Sequence, residues 1–320
     1  MFYFFCIMKL VKEMSSTRKL LSIFFLLLAM FLLYMTIKNI DVVTTYVTNI
    51  IRKYSKDNVI IPEYTKNHRV YLYSTVSETN DFEPHNVEDL KKIYYTVLNK
   101  GWNNFTFYCP YEYETCVSDV KSLASSDNDE FITLINNYVS PYNSYKKYNT
   151  MIVDENQVTL SVEKLYSDEE KAQLDNIIDS YISKNIKSKN ITQKDLEKIH
   201  DFIISRTTYD VYYEKGDKIT DSNKATGALI KGTALCSGYT DAFAIFLDKL
   251  GVPNFKINSE EHEWNVVYFN DKWSHIDLTW DDDEINKNNN RNFFMIDSKE
   301  LLKKDKKEHN FNKELYLELK

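Results

Sequence analysis

The chain has 320 residues, of which 43% are hydrophobic and 27% charged, with a net charge of −7. That length suffices for two domains of ordinary size, and the apolar content for a buried core. The acidic balance argues against a nucleic-acid partner, because a phosphate-binding surface needs a local Lys/Arg excess that is absent outside short helical faces.

Leu20 to Ile37 is an uninterrupted run of 18 residues without charge, about the minimum for a helix that crosses a bilayer. Lys9, Lys12, Arg18 and Lys19 precede it, as a positive-inside orientation requires. No small-x-small site follows Met35, so an uncleaved anchor is expected over a cleaved signal peptide. The leading MFYFFCIM suits neither, which leaves Met8 or Met14 as alternative starts. The expected division is a cytoplasmic terminus over 1–19, a membrane anchor or signal over 20–37, a linker over 38–66, a small α+β domain over 67–164 and a second domain over 165–320.

Arg69–Val76 alternates like a strand, and Val87–Leu98 carries apolar residues at helical spacing. Asn104–Tyr108 reads as a strand, Cys116–Leu123 and Phe131–Tyr138 as helices, Pro141 and Asn143 as a turn, and Gln157–Val162 as a strand. This alternation predicts a small α+β module without a motif of chemical content. Ser167, with Glu170 three residues on, opens a long helix in the manner of a capping box, and Thr192 with Asp195 opens the next. A helical turn at Ala225–Ile230 leads into the segment GTALCSGYT.

Five of the six glycines (Gly216, Gly227, Gly232, Gly238 and Gly251) and three of the four tryptophans (Trp264, Trp273 and Trp280) fall between residues 216 and 281. Unusual backbone geometry is therefore expected around Cys236. Cys109 and Cys116 are close enough to close a small loop, although unrelated buried thiols read equally well. Pairing them would leave Cys236 unpaired, which suits a reactive thiol.

Cys236 precedes an apolar helical run that stops at Gly251 and Pro253. Free N–H groups and the helix dipole favour a thiolate at such an N-terminus. Taken alone, a cysteine at a helix start is more often structural. Gly232 and Gly238 flank it and are expected to let a substrate carbonyl approach. Next come two strand-like segments, His262–Phe269 and Trp273–Trp280, joined by the hairpin turn signal Asn270-Asp271. A two-residue turn places residue 264 opposite 277, so His262 shares a face with Asp277 and can hydrogen-bond it diagonally. The other imidazole nitrogen then faces the thiol as base. His275 falls on the same face and competes for that role. His200 lies on an apolar helix and reads as a satisfied core histidine. The run Asp281-Asp282-Asp283-Glu284 lacks EF-hand spacing and reads as a solvated loop.

The segments ALCSGYTDAFAIFLDKLGVP, HEWNVVYFNDKWSHIDLTWDDD and NFFMIDSKEL resemble the transglutaminase-like core domain of bacterial surface and secreted proteins. The order Cys, His, Asp matches, as does the helix IHDFI followed by YD, over roughly residues 165–311. The resemblance implies a papain-like α+β fold with a helix-borne cysteine packed on an antiparallel sheet. It also implies thiol acyl-enzyme chemistry, with Cys236 as nucleophile, His262 as base and Asp277 as orienting acid. Two positions depart from the pattern: Glu263 stands where a small residue is common, and Asp283 where proline often follows TWDD.

The expected activity is attack on an amide carbonyl of a protein or peptide, including one associated with the cell wall, by hydrolysis or amine transfer. The alternative is a non-catalytic surface module that keeps the fold. No cofactor or metal is expected, the oligomeric state is undefined, and the expected location is the extracytoplasmic face of a membrane, or outside the cell after signal cleavage.

Overall fold

The structure, a computed structural model, describes residues 16–54, 59–63, 67–70, 77–125, 129–153, 156–212, 220–282 and 291–320. It falls into two compact units that divide at residue 57. The strand expected at Arg69–Val76 lies mostly outside the described residues, as do Asp283 and Glu284.

The first unit holds helices α1 (Ser16–Lys38) and α2 (Ile40–Tyr54). Leu20–Lys38 is long and apolar enough to cross a membrane or to serve as a signal sequence, and is the one such helix among the described residues. Its 19 residues rise roughly 28 Å, close to the thickness of a bilayer's hydrocarbon core. The stretch expected to be a linker begins with α2.

The second unit opens with α3 (Val87–Asn99), capped by Asn86, whose side chain accepts from the Asp89 N–H at 3.0 Å. Strand β1 (Asn104–Tyr108), helices α4 (Cys116–Leu123) and α5 (Asp129–Tyr138), and strands β2 (Tyr145–Val153) and β3 (Gln157–Lys164) follow. These strands form an antiparallel sheet in the order β1-β3-β2. Strand β2 is absent from the sequence reading. It lies at the sheet edge with Lys146, Lys147 and Asn149 in its path, so no clean alternation marks it. Cys109 and Cys116 form a disulfide, with Cα atoms 5.7 Å apart.

Helices α6 (Asp168–Asn185) and α7 (Gln193–Ile204) start at reciprocal capping boxes, Ser167 with Glu170 and Thr192 with Asp195. A short parallel pair, β4 (Thr208–Tyr209) and β5 (Thr233–Ala234), leads to α8 (Cys236–Leu250). Gly251, at φ +68°, ends α8 in the left-handed conformation that a Cβ disfavours. An antiparallel sheet follows in the order β6 (Asn254–Asn258), β7 (Glu263–Phe269), β8 (Lys272–Ile276), β9 (Phe294–Ile296). A single turn of helix, α9 (Leu278–Asp281), lies after β8, and α10 (Ser298–Lys304) after β9. The segment read as one strand, Trp273–Trp280, is therefore a strand that ends at Ile276 and a helix. The change comes at Asp277, whose side chain accepts from the N–H groups of Thr279 and Trp280 and so starts the helix.

The second sheet is covered on both sides. Phe255, Ile257, Trp264 and Val266 join the core built on α3, α5 and the first sheet. Val267 and Ile276 join the core beneath α8, with Tyr239, Phe243 and Phe246. A strand buried on both faces loses its polar-out alternation. This is why β6 (NFKIN) is unmarked in the sequence: even Lys256 and Asn254 are buried.

Candidate active site

Cys236 is the first residue of α8, after Leu235 in extended conformation. Its thiol is free and partly exposed. The start of the helix is held from below: the Leu235 N–H donates to the Ser222 carbonyl at 2.8 Å, and Tyr239 Oη donates to Asp282. Gly238 serves this packing. A Cβ there would stand 2.7 Å from the Ser222 oxygen and 2.9 Å from the Lys224 oxygen. The expectation that Gly238 opens room for substrate is thus corrected, because the chain's own backbone fills that space. Gly232, at φ +79°, turns the backbone before β5.

The hairpin register matches the sequence reading. Val266 pairs with His275 and Asn265 with Ile276, and both turn residues, Asn270 and Asp271, have positive φ. His262 lies just before β7 and Asp277 just after β8, and His262 Nε2 is 2.5 Å from Asp277 Oδ2. A carboxylate only accepts, so Nε2 carries the proton and Nδ1 is the nitrogen left for the thiol. Cys236 lies near enough to the same ring to favour its charged form. The three residues singled out in the sequence therefore meet at one place, although 41 positions separate Cys236 from Asp277.

Their surroundings fix the order of contacts. Thr240 on α8 donates through Oγ1 to the Glu263 carbonyl at 3.0 Å, and Asn265 donates through Nδ2 to the Thr240 carbonyl at 3.0 Å, which locks α8 to β7 beside His262. The His262 N–H donates to Ser259 Oγ at 3.1 Å, while Ser259 Oγ donates to the Glu308 carbonyl. Glu263 turns away, as alternation requires, and pairs with buried Lys256 at 3.2 Å. Lys256 also meets Asp241 at 2.9 Å.

Burial opposes a charge on His262, but the Asp277 carboxylate outweighs it with help from Cys236, and together they push the imidazole up to about 10. Burial likewise opposes a charge on Asp277. Its partners His262 and His309 prevail and hold the carboxyl well below its usual range. His275 is the reverse case. It is buried, accepts from Trp264 Nε1 at 3.0 Å and faces Ser298 Oγ at 2.9 Å. Burial, with His309 nearby, pushes it down to about 3. His275 is thus committed to the hairpin interior. His200 is fully buried and hydrogen-bonds Asp281 at 3.1 Å and Asp201 at 3.2 Å. Asp281 and Asp282, read as the start of a solvated loop, are instead tied inward to His200, the Phe293 N–H and Tyr239.

His309 was not singled out in the sequence. It is fully buried, and its Nε2 stands 2.8 Å from the same Asp277 oxygen that His262 uses. Nothing in DKKEHN marks it, since a histidine in a charged run reads as solvated; the one local signal is Asp305 four residues earlier, which bonds its Nδ1 at 2.9 Å. Among the described residues, His262, Asp277 and His309 are the group whose ligand atoms come close enough to hold a metal ion. The contacts of both histidines with one Asp277 oxygen have hydrogen-bond length, with donors around an acceptor, and need no ion between them.

No family model and no curated relative matches the chain. Among solved structures it is similar to a TGase, that is a transglutaminase, at 15% identity and a TM-score of 0.32, over 42% of this chain and 44% of that one. It is also similar to a proposed cysteine protease from Cytophaga hutchinsonii, at 11% identity and a TM-score of 0.26, over 42% of this chain and 61% of that one. The chain thus covers less than two thirds of the length of either neighbour.

Proposed function

We propose that the chain is a cysteine acyl-transfer enzyme of transglutaminase-like type, with Cys236 as nucleophile, His262 as general base and Asp277 as the residue that orients the imidazole. The observation that carries this reading is the Asp277–His262 hydrogen bond, with Cys236 on the first turn of α8 near enough to the imidazole to favour its charge. The helix N-terminus and the imidazolium both favour the thiolate. The thiolate attacks the amide carbon, and the C–N bond breaks as His262 passes its proton to the leaving amine. Water or an amine then attacks the thioester, giving back its proton to His262 and freeing the thiolate. Water as acceptor gives hydrolysis, a primary amine gives transfer, and protein or peptide amides are the proposed substrates.

We also propose that α1 anchors the catalytic unit to a membrane on its extracytoplasmic side. The Cys109–Cys116 disulfide supports that side, because such bonds persist in oxidising compartments. Cleavage of residues 59–320 by protease added outside intact cells tests it, and protection until permeabilisation would reverse the topology.

Release of ammonia or of new peptide amino termini from glutamine-containing peptides, with and without an added primary amine, tests the chemistry. Wild type should release one or the other and folded Cys236→Ala neither; equal release of both from the two proteins would contradict the enzymatic reading and favour a non-catalytic surface module.

A further inference from the structure

Each ring nitrogen of His309 meets a carboxylate: Nε2 is 2.8 Å from Asp277 Oδ2, and Nδ1 is 2.9 Å from Asp305 Oδ2. A carboxylate has no proton to give, so a nitrogen at that distance must supply one. A neutral imidazole has a single N–H. Both contacts are satisfied together by an imidazolium, unless one carboxyl is protonated. Burial favours the protonated form of both. On Asp277 the two histidines overcome it, and on Asp305 His309 and the N–H groups of Glu308 and Lys307 do so, leaving each carboxyl below its usual range.

The groups packed around the ring bear on this charge. His262 lies edge-on with centroids 5.1 Å apart, and Cys236 lies beyond it. Phe293 stacks at 5.3 Å, with Lys304 over its ring, while Trp264 and Trp280 close the sides. His275 is near enough for its charged form to be disfavoured by His309. Asp277 and Asp305 are thus the anionic contacts of the ring among the described residues. Asp277 itself has no slack: Oδ1 accepts from the Thr279 and Trp280 N–H groups, and Oδ2 from two imidazoles.

Resting on the triad reading, we propose that His309 is a positioning residue for this site: an imidazolium clamped between Asp305 and Asp277 that fixes the Asp277 carboxylate and shares its negative charge with His262. An imidazolium held by a dedicated carboxylate gives up its proton reluctantly. Efficient proton transfer needs an acid matched to the working pH. With the carboxylate shared, His262 keeps its orientation and becomes a readier acid toward the leaving amine.

The test is nitrogen-15 spectroscopy of the full-length chain in detergent micelles, labelled at histidine. In wild type at neutral pH, both ring nitrogens of His309 should carry protons. His309→Gln can keep a donor for Asp277 without the charge, and should move the His262 titration upward by about one pH unit or more. Asp305→Asn, at a partly exposed side chain, should leave His309 with a proton on one ring nitrogen only. A singly protonated His309 in wild type, or an unmoved His262 titration in folded His309→Gln, would overturn the proposal. If His309→Gln does not fold, the wild-type protonation state and Asp305→Asn decide. None of these readouts needs turnover, so an inert Cys236 would contradict the triad reading separately, while the ring titrations still report the charge sharing.

Discussion

The β7–β8 hairpin carries two buried histidines that its two regions treat in opposite ways. At the mouth, His262 faces a carboxylate and rises to about 10; in the interior, His275 faces an indole N–H and a hydroxyl and falls to about 3. Burial is similar at both and disfavours charge at both. The partner therefore decides the outcome: a buried imidazole is held charged where an anion meets it, and neutral where none does.

Replacing the anion should break this contrast most strongly. Asp277→Asn leaves His262 without its charge partner and frees the wrong tautomer. Reactivity of Cys236 should fall by up to about 10⁴-fold, less completely than in Cys236→Ala, with the fold retained. The measurement is the rate of substrate turnover or thiol alkylation beside a circular-dichroism melt. Activity within a few-fold of wild type would mean that Asp277 is structural.

The opposite substitution sharpens the contrast. His275→Phe removes the acceptor of the Trp264 N–H and should cost about 1–3 kcal/mol in stability through an unsatisfied buried donor. It should leave the pH profile of Cys236 reactivity in place. A denaturant titration and an alkylation profile on the same sample separate the two effects.

The same contrast sets two pH windows. His262 titrates higher in the folded state than its ordinary 6.5, so its contribution to stability is complete below about 6.5 and is lost as pH rises toward about 10. His275 titrates lower, so its contribution is complete above 6.5 and is lost as pH falls toward about 3. Asp277, depressed in the folded state, adds stability that is complete above its ordinary carboxyl range and is lost only in stronger acid. Melting temperature should thus decline on both sides of neutrality. His275→Phe should flatten the acid side and leave the alkaline side.

The smallest effect belongs to Glu263. It points away from the site to Lys256, and Glu263→Gln can keep a hydrogen bond there. The expected cost is about 1 kcal/mol or less, with unchanged alkylation of Cys236. A change in reactivity comparable to Asp277→Asn would place Glu263 in the site.

The hairpin was readable in the sequence because a two-residue turn at Asn270-Asp271 sets every pairing after it, and a one-residue slip would have separated His262 from Asp277. The starts of α6 and α7 were readable for the same local reason: Ser167 and Thr192 each have an acid three residues on. What escaped has long-range causes. His309 is recruited by an aspartate 32 positions away, and its own neighbours are charged. Strand β6 hides Lys256 inside a covered sheet, where its charge is met by Asp241 and Glu263. Asp277 did carry a sign of its second role, since an aspartate before Leu278 can start a helix. That role explains why β8 stops where it does.

The central claim is that Cys236 is the nucleophile of this site, activated by His262 and Asp277. Its most direct test is the pH dependence of Cys236 alkylation by iodoacetamide in the full-length chain, with the modified residue identified by mass spectrometry. The account predicts alkylation of Cys236 that is far faster in wild type than in folded Asp277→Asn. Identical rates in wild type and Asp277→Asn at every pH would contradict it.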